Sequence, residues 1–287
     1  LYDEVKLEDG NMNRWVWWLV LILLAPSVRA NEPAEAPALD ELVRRLLDSE
    51  ALYTMAGPLK PLSDGFWQAR FPATGTTSPA VERVRHHLAT LPWGDDYAAG
   101  VYVFAQAFNG QRSATAFVAH RPLVRGVVWR YPEVFRPLGI TLLTEPEEML
   151  SRIDRAEAGV RWRAFGLLFG YPEAAVDFFV RAGLEEKQTG QFVPRDFRHV
   201  PTFGNERGRF VYAVPKGMLE SDADRTLRAS AAPILAEYTR RRAVYLAPEG
   251  PGAAALLRDW LSPPAWPLEV LVRPAVGRGR CWRCRVD

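Results

Sequence analysis

The chain holds four imidazoles, His86, His87, His120 and His199. A histidine titrates near neutrality, so it can carry general acid–base chemistry or bind a metal ion. His199 lies in "VPRDFRHVPTFGNERGRF", a loop-to-strand region rich in charged and aromatic residues. Asp196 precedes it by three positions, near enough for a local hydrogen bond, and a carboxylate that orients an imidazole is half of an acid–base device. His120 ends a β-rich run just before Arg121. If these groups converge, His199, Asp196 and His120 form a candidate hydrolytic set, metal-assisted where the two imidazoles meet. Arg195 and Tyr212 would then steer a substrate. The plainer alternative is an ion-pair network around a partly exposed histidine. His86 and His87 are neighbours on a predicted helix, about 100° apart, and cannot clamp one metal as an i, i+4 pair does.

No nucleophile elbow, His-Glu-x-x-His motif, Walker loop or dinucleotide-binding glycine loop accompanies these residues. Asp95-Asp96 lacks the alternating oxygen ligands of a calcium loop and reads as a turn or cap. Ser221 followed by Asp222 and Asp224 reads as a helix N-cap with a near-capping box. Lys216-Gly217 reads as a turn, and Arg240, Arg241 and Arg242 suit the C-terminal end of a helix dipole. Both cysteines, Cys281 and Cys284, stand in the last seven residues, "CWRCRVD". Two thiols do not complete a zinc site, and no helix N-terminus is expected there to activate them. A local disulfide between Cys281 and Cys284 is the expectation. No cofactor or metal is assigned. The favoured class is a non-enzymatic binding or envelope-associated module, with the hydrolase as the alternative.

The N-terminal region carries a clearer pattern. Met12, Asn13 and Arg14 precede an apolar run from Trp15 to Ala25, and "VRA" ends at Ala30. A short cationic start, an apolar core and small residues before a cleavage point describe a secretory signal peptide. The run is shorter than the roughly 20 apolar residues of a membrane span. Cleavage after Ala30 is expected, with no stable membrane insertion afterwards and a periplasmic or secreted destination. Residues 1–11 carry four acidic groups, out of keeping with an export signal, and the simplest account starts translation at Met12. Removing 30 residues from 287 leaves about 257, and the net charge moves from +2 to about +3. Such a balance calls for no nucleic-acid partner. An envelope protein partner fits the export reading. Only four of the 36 basic residues are lysine, Lys6, Lys60, Lys187 and Lys216, a bias that GC-rich codon usage explains.

The elements that position these groups read as α+β: mostly helical, with a β-hairpin and one or two further strands in a small mixed or antiparallel sheet. Residues 31–38 form a Pro/Ala linker, 39–272 a single globular domain and 273–287 an Arg-rich tail. Leu39, Leu42, Val43, Leu46 and Leu47 share a helical face that Gly57-Pro58 stops. Ser78 caps a helix with Pro79 in its first turn. "SDGFWQARF" is extended, and Asn109-Gly110 joins two β-rich runs as a hairpin. The weak alternation of the second arm predicts a strand covered on both faces. Pro122, Pro132, Pro146 and Pro172 each open a helical segment between Arg121 and Gly183. A long helix bends or breaks near Pro233, and "LEVLVRP" is a closing strand.

"RWRAFGLLFGYPEAAVDFFVRAG", residues 161–183, reads as two packed helices around a Gly-Tyr-Pro corner. Gly170 supplies the left-handed stop, Pro172 starts the next helix and Gly183 ends it. The corner resembles uncharacterised prokaryotic proteins in which Gly-Tyr-Pro is followed by paired cysteines. Ala174 and Ala175 stand at the paired positions here, so no thiol or metal role carries over. Tyr171 is the one residue of the corner able to face a cleft, and it joins Arg195 and Tyr212 as a candidate ligand contact.

Overall fold

Leu42, Val43, Leu46 and Leu47 form the buried face of α1 (Leu39–Asp48). The computed structural model describes residues 36–57 and 59–262, with side chains for all but 205–209. The expected signal segment, most of the linker, the closing strand and the tail with Cys281 and Cys284 lie outside the described residues. The expected first helix divides in two, because the Ser49 hydroxyl donates back to the Leu46 carbonyl, 2.8 Å away. Such a local side-chain bond competes with the helical ladder, and α2 (Leu52–Met55) starts three residues on.

Three antiparallel strands follow: β1 (Leu62–Pro72), β2 (Tyr97–Phe108) and β3 (Gln111–His120), in the order β1-β3-β2. Asn109 and Gly110 both take positive φ, 49° and 71°, to close the hairpin, as a two-residue turn of this kind requires. Between β1 and β2 lies α3 (Pro79–Ala89), whose Val81 N–H donates to the Ser78 side chain at 3.3 Å. β3 is buried without interruption from Ala114 to Ala119. The reason is that its side chains alternate between two cores. Ala114, Ala116 and Val118 enter one apolar cluster, while Phe117 and Ala119 enter a second.

The second cluster is closed by α4 (Arg121–Arg130), α5 (Pro132–Phe135), a 3₁₀ turn (Arg136–Leu138), α6 (Pro146–Asp154) and α7 (Ala158–Leu168). Pro122, Pro132 and Pro146 occupy the first turns of α4, α5 and α6, where a missing N–H costs nothing. Pro172 stands one residue earlier than expected, as the N-cap of α8 (Glu173–Thr189). Gly170 is left-handed at φ 71° and ends the corner. Gly183 does not end α8, which continues to Gly190 at φ 72°. It is glycine because a Cβ there would lie 2.6 Å from the Trp162 ring.

A second antiparallel sheet pairs β4 (Arg195–Thr202) with β5 (Asn205–Pro215), so the described residues hold one strand more than the sequence suggested. α8 packs on β5, and α9 (Asp222–Tyr245) on β4. Ser221 and Asp224 complete a full capping box at the start of α9. That helix runs unbroken through Pro233. Pro233 faces solvent, and so does Ala229 four residues earlier, whose carbonyl loses its helical partner but meets water. The last described helix, α10 (Ala253–Leu261), is capped from α1: the Ala254 N–H donates to Asp40 Oδ1 at 2.9 Å. The fold is α+β with two small antiparallel sheets. No helix among the described residues is long and apolar enough to cross a membrane.

Candidate functional site

The residues singled out for chemistry are held in three places. Asp196 and His199 share β4, but three positions along a strand reverse the face. Asp196 points with Val214, its cross-strand partner, and His199 with Val211. The Asp196 carboxylate accepts from the Gly217 N–H at 2.7 Å and the Lys216 ammonium at 3.0 Å. Those two donors, the backbone one first, lower its pKa below the ordinary aspartate value. Its observed contacts therefore fasten the end of the β4–β5 hairpin.

His120 lies in the other sheet, where it closes β3 and caps α4. Its Nδ1 accepts from the Leu123 N–H at 3.3 Å, and its ring meets Tyr97 edge to face at 4.9 Å. Burial lowers its pKa, against an opposing pull from Asp96. The δ nitrogen of the imidazole is thus engaged as an acceptor at the start of α4. Among the described residues, no three of His, Cys, Asp and Glu gather as a metal-holding group.

The candidate ligand contacts divide. The Arg195 guanidinium is buried in an ion pair with Glu186 and donates to the Val193 carbonyl at 3.0 Å. Tyr212 donates to Asp224 at 2.6 Å. Burial raises the Tyr212 pKa, and the carboxylate adds to the shift. Tyr171 and Tyr212 do come together, with ring centroids 5.9 Å apart, and Tyr171 lies equally close to Phe210.

What surrounds Tyr171 is a lysine that motif reading passes over. Lys60 is fully buried. Its Nζ donates to the Phe169 carbonyl at 2.8 Å and lies 3.2 Å from Glu50 Oε2. The ammonium sits 4.0 Å from the Phe210 ring centre, 5.1 Å from Tyr171 and 5.4 Å from Phe169. The Gly-Tyr-Pro corner closes this cage, because a Cβ on Gly170 would stand 2.7 Å from the Leu59 carbonyl oxygen. Burial pushes the Lys60 pKa down, while Glu50 and then Asp64 hold it up. The Nζ is held by protein partners in place of solvent. Its complete enclosure makes it a charge anchored between two cores, since Tyr171 packs against both clusters. The available hint was compositional: one of only four lysines, flanked as "PLKPL".

The outer surface offers a different kind of site. An open groove along α8, lined by Asp177, Val180, Arg181, Leu184 and Gln188 together with Arg163 of α7, is partly filled by the Arg163–Asp177 ion pair. α4 presents a more unusual face. Successive helical residues turn by about 100°, so with Pro122 as zero, Trp129 falls about 20° away. Arg125 lies about 60° to one side and Arg130 about 80° to the other. The buried residues Val124 and Val128 occupy the opposite side. Trp129, at the apex, is 75% exposed. Compared with known protein families, curated proteins and solved structures, the chain matches none.

Proposed function

We propose that the chain is an exported, non-enzymatic binding module of the cell envelope, and that α4 is its contact face. The observation that carries this reading is Trp129 at the outermost point of α4, between Arg125 and Arg130. A tryptophan there contributes nothing to the core behind it. Trp and Arg are also the side chains that binding surfaces concentrate. The signal-like segment from Met12 to Ala30 supports the export half of the reading. Support for a non-catalytic role comes from His120 and Asp196, whose observed hydrogen bonds serve a helix cap and a hairpin end.

Expression from Met12 in a bacterial host, followed by fractionation and intact-mass measurement, tests the proposal. The expected species begins at Asn31, leaves the cytoplasm and sediments with envelope material. Trp129→Ala should release it. A chain that stays cytoplasmic with Met12 in place would overturn export. Envelope association indifferent to Trp129 would overturn the assignment of the face.

A further inference from the structure

We infer that the occupant of the α4 face is an anionic bilayer surface; this rests on the reading of α4 as the contact face of an exported module. The argument is local charge and shape. Arg125, Arg130 and Arg136 are all exposed, and none forms an ion pair with a described residue. Arg121, by contrast, is taken up by Glu145 at 2.9 Å. Glu133 is the exposed carboxylate nearest in sequence, which leaves this stretch with a surplus of positive charge although the chain as a whole is nearly balanced.

The apolar part of the face suits a headgroup region. Trp129 is amphipathic and favours the bilayer interface. Gly126 lies beside it on the same exposed arc, and a Cβ built there meets nothing within 4 Å. Pro122 is exposed one turn earlier. The helix backbone is therefore uncovered along that arc, so α4 can lie flat with Trp129 inserted and an arginine on each side. Val124 and Val128 remain in the core throughout. Binding needs no unfolding and no spanning helix. It is a peripheral contact whose strength combines one buried aromatic with several charges.

The test uses the purified chain from Asn31 in vesicle sedimentation. One set of vesicles contains equal phosphatidylglycerol and phosphatidylcholine, and the other phosphatidylcholine alone. Binding to the anionic vesicles should exceed binding to neutral ones at least tenfold, and should weaken as salt is raised. Arg125→Ala and Arg130→Ala should each weaken it about fivefold, and Trp129→Ala about tenfold. Arg258→Ala, at an exposed arginine on α10, should leave it unchanged and so controls for diffuse charge. Circular dichroism checks that each variant is folded.

Equal binding to both vesicles, or anionic binding indifferent to the α4 variants, overturns the inference. Trp129-dependent envelope association without vesicle binding also overturns it, while leaving the binding-module reading standing. Loss of both overturns both.

Discussion

Replacing Lys60 by methionine keeps the length of the side chain and removes its charge. At an effective dielectric of about 20, two unit charges 3.2 Å apart attract by about 5 kcal/mol. Contact with an aromatic face adds about 0.5–2 kcal/mol. Burying two ions costs several kcal/mol each, so the intact pair contributes little net stability. Removing one partner is different, because Glu50 stays buried with its compensating charge gone. Lys60→Met should therefore destabilise the fold by about 3–5 kcal/mol. For a protein of this size that is a fall in Tm of roughly 6–20 °C. Glu50→Gln with Lys60→Met removes both charges and should recover more than half of the loss.

Urea unfolding of the parent, both single variants and the double variant gives the coupling directly. A Lys60→Met protein within about 1 kcal/mol of the parent, or losses that simply add, would refute the caged ion pair. The pH dependence has a definite sign. Folding lowers the Lys60 pKa below its ordinary 10.5. Between the folded value and 10.5 the unfolded chain binds more protons, so the parent gains stability as pH rises through that window. The double variant should lack this gain.

Gly170→Ala should cost about 2–3 kcal/mol, from the left-handed φ and the collision with the Leu59 carbonyl; a neutral result in urea unfolding would mean that the corner is free to shift. Ser221→Ala removes half of the α9 capping box and should cost about 1 kcal/mol, read in the same assay. The His120 pKa, measured by NMR, should fall below 6.5 because burial disfavours the charged ring. Below 6.5 the unfolded chain then binds more protons, so stability is lost as pH falls, and His120→Ala should flatten that loss.

Proline and capping chemistry make the helical frame legible in the chain itself. Ser78, Ser221, Pro122, Pro132 and Pro146 act locally, and each does in the fold what its residue type favours. The same holds for Asn109-Gly110. β4 is harder to read, because "RDFRHVPT" lacks the period-2 alternation of a strand and its burial comes from α8 and α9 packed around the second sheet. Gly183 illustrates the limit of punctuation rules. A glycine after an apolar helical run resembles a stop, but the physical cause is the Trp162 ring, twenty-one residues earlier. The Lys60 cage assembles from Glu50, from Phe169 and Tyr171 of the corner, and from Phe210, three stretches far apart in the chain, so no spacing rule announces it. Asp196 and His199 are close in sequence, but strand alternation puts them on opposite faces once β4 is recognised.

Tyr171 touching both apolar clusters also bears on how the protein opens. The sheet that separates the two cores would otherwise let each side loosen alone. With Tyr171 packed into both, and Lys60 tying the Phe169 carbonyl to Glu50, exposing one side strips contacts from the other. Amides of α7 and β5 should accordingly exchange with deuterium as one cooperative unit, near the free energy of global unfolding. The exposed last turn of α10 should exchange far sooner.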